Sequence, residues 1–147
     1  MKVILLCLAI LAGSVTAVQP PINGALRSVL GHPLWATVAN FVVGLIALLI
    51  LTVISRAPLP SFANLAPHPW WYWLGGLCGA FFVLSSVLLI RDLGAAVFFS
   101  CVVAGQLLTA VALDHFGVLG VPEHPLSLLR LCGVILLCAG TVLIRVF

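Results

Sequence analysis

Charge is the scarcest feature of this 147-residue chain: six Lys and Arg and three Asp and Glu make up 6% of it. A soluble domain carries about a quarter charged residues, so an ordinary water-facing surface is excluded. The net charge of +3 is scattered, and the absence of a basic run excludes a nucleic-acid partner. The acids Asp92, Asp114 and Glu123 all fall at the ends of apolar stretches or between them. With no carboxylate in mid-span, proton exchange on a central acid is hard to draw. The cysteines Cys7, Cys78, Cys101, Cys132 and Cys138 sit inside apolar stretches, without CxxC or Cys/His spacing. That excludes a disulfide framework or a zinc site and leaves them as small, soft packing residues. No nucleophile–base arrangement, phosphate loop or metal spacing is visible, so neither an enzyme nor a cofactor is expected.

What the chain does have is apolar length. It is 64% hydrophobic, more than a soluble fold of this size can hide, and lipid is the solvent that suits it. About 20 apolar helical residues cross a bilayer core, and five stretches qualify: residues 3–26, 34–54, 70–90, 95–113 and 126–144. The expectation is an all-α membrane protein, a five-helix bundle forming one transmembrane domain over residues 1–147. Gly31-His32-Pro33 separates the first two spans. The 56–69 link carries Pro58, Pro60, Pro67 and Pro69, which stop helix. Arg91-Asp92-Leu93-Gly94 reads as a tight turn making the third and fourth spans antiparallel neighbours, and residues 114–125 close the last gap. Lys2, the apolar run and Val15-Thr16-Ala17 imitate a secretory signal with its cleavage site. The apolar pattern continues to Leu26, so a retained helix is expected. Trp70-Trp71-Tyr72-Trp73, at the mouth of the third span, reads as an interfacial aromatic belt, with a cage for a cationic ligand as the alternative.

Five spans place Lys2, Arg56 and Arg130 on one side and Arg27, Arg91 and Arg145 on the other, three against three. Orientation follows the excess of Lys and Arg in cytoplasmic loops, and here that excess is zero. The chain is therefore expected to insert both ways up, so that two opposed copies pair about an axis lying in the membrane plane. The alternative is one orientation set by an unseen factor or by the unevenly placed Asp114, Glu123, His68 and His124, all on the Lys2 side.

Polar groups at membrane depth must be paired or face a cavity. The first span carries Ser14, Thr16, Gln19 and Asn23, the last three at spacings of three and four and hence on one helical face. Between them Pro20 and Pro21 remove the helical donors to the carbonyls of Thr16 and Ala17. A kink with free carbonyls is expected there, either as a discontinuous-helix binding site or as a structural bend sealed by neighbours. The second span offers Thr37, Asn40 and Gly44, and the fourth Ser100, Gln106 and Thr109. Gly75 and Gly79 have small-xxx-small spacing and read as a packing face, Ser85 and Ser86 add hydrogen bonds, and Gly133 and Gly140 mark a seam. Next to His115, Asp114 reads either as a proton-sensitive pair or as the partner of Arg130 or of the fifth helix's N-terminus.

Several strings resemble a known family: Gly13, Gln19 and Asn23-Gly24-Ala25-Leu26; Gly31-His32-Pro33; Gly75-Gly76 with Gly79-Ala80; and, most specific, Ala104-Gly105-Gln106-Leu107 with Asp114-His115-Phe116-Gly117 and Gly120, leading to Pro125-Leu126-Ser127, Arg130 and Gly133. They resemble the short, YdcZ-like inner-membrane proteins of the drug/metabolite transporter superfamily across nearly the whole chain. The resemblance implies a five-helix half-transporter, equivalent as an antiparallel homodimer to a ten-helix transporter, in the cell inner membrane. A more distant likeness to the small multidrug resistance exporters does not carry their proton exchange, because their first-helix glutamate is missing here. The expected function is small-solute transport by alternating access. Gln19, Asn23, Asn40, Gln106, Thr16 and Ser100 would bind substrate, Pro20 and Pro21 would gate, and Asp114 and His115 are candidates for proton or ion coupling. Expected partners are a small-molecule or ion substrate, the lipid bilayer, and a second copy or a paralogue. A channel built on the same amides, or a non-transporting assembly subunit, are the alternatives.

Overall fold

A computed structural model describes residues 2–59 and 70–147, and among them all regular structure is helical. His68, Pro60, Pro67 and Pro69 lie outside the described residues. The chain builds α1 (Lys2–Leu30), α2 (Pro33–Ile54), a 3-10 turn (Trp70–Trp73) running into α3 (Leu74–Leu93), α4 (Ala95–Phe116) and α5 (Leu128–Val146). Among the described residues, five helices are long and apolar enough to cross a membrane. The large side chains of Leu6, Ile10, Leu48, Leu51, Phe81 and Leu136 are exposed, whereas Asn23, Thr37 and Ser86 are buried. Polar groups inside and aliphatic groups outside is the arrangement that hydrocarbon selects.

The breaks follow local chemistry. Gly31, at φ +74°, ends α1, and its N–H donates to Arg27 O at 2.9 Å. His32 then caps α2: its Nδ1 accepts the Leu34 N–H at 3.2 Å, and Pro33 takes the first helical position, where a missing N–H costs nothing. The expected four-residue turn after the third span is narrower, because α3 absorbs Arg91, Asp92 and Leu93, and Gly94 alone, at φ +76°, interrupts the helices. Gly117, in the left-handed region, ends α4 three residues beyond the expected span. Ser127 caps α5, its Oγ accepting the Arg130 N–H at 3.3 Å. Pro20 and Pro21 do not interrupt α1, which is one continuous helix from Lys2 to Leu30. The two prolines thus lie inside a helix that is not split, and Pro20 is fully buried.

The helices form two compact units, one ending at Arg91 and the other starting at Asp92. In the first, α1 packs on α2. The C-terminal end of α3 meets that of α1, where a Cβ on Gly24 would lie 3.4 Å from Ile90. Gly79 faces the Phe41 ring of α2 at 3.6 Å on the same measure, as a packing glycine should, while Gly75 faces open space. The buried Ser86 Oγ returns to Val83 O at 2.7 Å. In the second unit α4 packs on α5. There Thr141 Oγ1 donates to Ser100 O at 3.2 Å across the pair and to Leu137 O at 3.0 Å along its own helix.

Candidate functional site

Three amide side chains meet in the first unit. Asn40 Oδ1, on α2, accepts from Gln19 Nε2 at 2.8 Å and from Asn23 Nδ2 at 3.2 Å, both on α1. Their spacing explains the meeting: Gln19 and Asn23 are one turn apart on one face, so a single oxygen on the facing helix reaches both. Asn23 is 3% exposed, and Gln19 and Asn40 are half-buried. Asn40 Nδ2, Gln19 Oε1 and Asn23 Oδ1 have no protein hydrogen bond among the described residues, which leaves the cluster one donor group and two acceptors to offer a ligand.

These groups line a groove of about 590 Å³ with Val15, Thr16, Val18 and Ile22. Thr16 to Asn23 extends about 10 Å along the helix, the length of a small solute. Thr16 adds little donor capacity, because its hydroxyl bonds to Ala12 O at 2.8 Å. The groove holds no charge. It can share hydrogen bonds with a neutral polar solute or offer amide oxygens to a cation, but it cannot exchange a proton.

The other expected site residues lie elsewhere. Ser100 and Gln106 are on α4, in the second unit. Ser100 Oγ is spent on Val97 O at 2.9 Å, and Gln106 is exposed. Asp114 pairs with Arg130 at 3.2 Å, with side chains 32% and 40% exposed. His115 points to the loop instead, its Nδ1 accepting the Leu126 N–H at 3.2 Å. The pair Asp114–Arg130 closes a second groove of about 430 Å³, walled by Leu107, Ala110, Val111, Gly133, Val134 and Leu137. Gly133 thus lines a groove, and a Cβ on either Gly133 or Gly140 would meet nothing within 4 Å. The Trp70–Trp73 rings are exposed and meet edge to face, Trp70 on Trp71 at 6.2 Å and Trp71 on Tyr72 at 6.4 Å.

Sequence reasoning missed a basic cluster where α1 meets α3. Arg27 Nη1 donates to Val87 O at 3.1 Å, and Arg91 Nη2 donates to Ser28 Oγ and, at 3.5 Å, to Gly24 O. The signal was present: the apolar pattern of α1 fades at Leu26, yet Arg27 and Ser28 lie before the Gly31 stop, so both had to be helical.

Apolar helices with a polar interior define a multi-pass integral membrane protein. The sequence matches, over residues 4–143, the family described as "Putative inner membrane exporter, YdcZ", and the chain belongs to that family. Among curated relatives, "Inner membrane protein YdcZ" of Escherichia coli (strain K12) is 34% identical over 110 residues, 74% of this chain and 72% of the relative. The chain is accordingly an inner-membrane protein. No solved structure matches it.

Proposed function

We propose that the chain is one transmembrane half of a small-solute transporter that works by alternating access between two half-units. The observation that carries this reading is the uncharged amide groove of Gln19, Asn23 and Asn40. A polar cluster that lines an open groove on lipid-spanning helices supports a solute site there. One half supplies only one side of a pathway. The even tally of basic residues supports a second copy facing the opposite way, so that two amide grooves serve one path, and Gln106 is proposed as a further substrate-binding residue. A paralogue in the second place would serve the same geometry. The neutral lining favours a polar metabolite, or a cation held by amide oxygens, over a drug cation that needs a carboxylate. Pro20 and Pro21 weaken α1 beside the groove, where two carbonyls lack helical donors, and this is the place for a gating bend. Catalysis has no part in this reading.

The test is flux in proteoliposomes, after a thermal-shift screen of small metabolites and cations has found a stabilising solute. The N23A/Q106A double variant is expected to lose flux while the dimer stays assembled, and unchanged flux in that variant would remove the cavity. Turnover separates transporter from channel: a conformational cycle runs on microsecond-to-millisecond or slower motions, and flux far above that ceiling would assign a pore. Protein that moves no solute but binds another membrane protein tightly would be an assembly subunit.

A further inference from the structure

We propose that Arg27 and Arg91 form a phosphate-binding site at one end of the first unit, at headgroup depth. The two guanidinium groups, from different helices, are anchored on the same short stretch of α1 and α3. Arg91 reaches the Gly24 carbonyl and the Ser28 hydroxyl, one turn apart on α1, and Arg27, between them in sequence, reaches Val87 O on α3. Each guanidinium carries five N–H donors. Among the described residues the contacts use Nη1 of Arg27 and Nη2 of Arg91, so the Nε and the second terminal nitrogen of each have no partner there. Neither arginine pairs with a carboxylate among the described residues, where the one ion pair joins Arg130 and Asp114.

Depth follows from length. α1 has 29 residues, about 43 Å at 1.5 Å per residue, against a hydrocarbon core of about 30 Å. Its ends therefore stand in the headgroup layers. Arg27 and Ser28 belong to the last turn, and the exposed Trp35 on the first turn of α2 marks the same level. Exposed Val29, Leu30 and Leu34 beside them offer a surface for an acyl chain.

The charge balance favours an anion. Two helix C-termini contribute about half a negative charge each, against two full positive charges. Asp92, next to Arg91, is exposed and makes no ion pair among the described residues. It lowers the net attraction without neutralising either guanidinium. Arginine presents paired donors that match phosphate oxygens. The ligand chemistry is a phosphate oxyanion, either the diester of an anionic phospholipid or a soluble phosphate.

Purified protein in a neutral detergent is titrated with phosphatidylglycerol, phosphatidylcholine or inorganic phosphate, following the melting temperature and the lipids retained in native mass spectrometry. The proposal expects a rise in Tm with phosphatidylglycerol well above that with phosphatidylcholine if the source is lipid, and with inorganic phosphate as well if the source is soluble. Each Arg→Gln change (R27Q, R91Q) is expected to weaken the apparent affinity on the order of tenfold, the value of one charge-assisted hydrogen bond. D92N is expected to leave it unchanged or tighter. R27K/R91K keeps the charge and separates loss of fold from loss of donors: a folded protein with reduced retention supports the site. No anion response in the wild-type protein, or a full response in R27Q or R91Q, would overturn it.

Discussion

Replacing Asn40 with alanine removes the one oxygen that accepts from both Gln19 Nε2 and Asn23 Nδ2. The two donors are not equally stranded. Gln19 is half-buried and can turn toward the groove, so its loss is close to the ordinary value of an interhelical hydrogen bond in a membrane, about 0.6 kcal/mol. Asn23 is 3% exposed, and a buried donor left without an acceptor costs about 1–3 kcal/mol. The sum is a destabilisation of about 2–4 kcal/mol for N40A. The triple variant Q19L/N23L/N40L leaves no orphan donor, and replacing every partner of a network by apolar groups is nearly neutral. It should recover most of the lost stability while solute flux stays absent. Reversible unfolding in mixed detergent micelles measures the first quantity, and proteoliposome flux measures the second. Wild-type stability in N40A would show that the amide cluster is not formed, and wild-type flux in the triple variant would show that the groove carries no solute.

Three further substitutions test the framework. G117A forces a Cβ into a backbone with φ +58° and places it 3.1 Å from Glu123 Cβ, so a loss of about 1 kcal/mol or more is expected in the same unfolding assay. S127A removes the cap of α5, with an expected loss of about 1 kcal/mol and earlier hydrogen exchange in the first turn of that helix. D114N breaks an ion pair whose partners are about a third exposed, so stability should change by less than about 1 kcal/mol, and a larger loss would mean that the pair is shielded from solvent in the assembled protein.

The helices were the most legible part of the molecule, because hydrocarbon leaves a chain only one hydrogen-bonded way across and the apolar runs give its length. Their ends were less so. α1 runs past Leu26 to Leu30 because Arg27 and Ser28 find partners on α3, a tertiary cause that no run of apolar residues records. The same blindness hid the third-span ending: Arg91, Asp92 and Leu93 look like a turn by composition, yet Gly94 alone supplies the positive φ at which the helix stops. At the site, the spacing of Thr16, Gln19 and Asn23 announced a common face, and Asn40 was conspicuous as the one amide of the second span. What spacing does not state is which oxygen two donors share. The double proline leaves the helix unsplit, since each proline removes one hydrogen bond but also starts from a φ that suits a helix. Asp114 and His115, adjacent in sequence, project to different partners, as neighbours on a helix must.

The central claim is that two copies of the chain face opposite ways and together enclose the solute path. Side-specific labelling of tags at both termini in intact cells tests it most directly. The account predicts that each terminus is reached from both sides in comparable amounts, with crosslinks joining copies of opposite orientation. One uniform orientation throughout the membrane would contradict it.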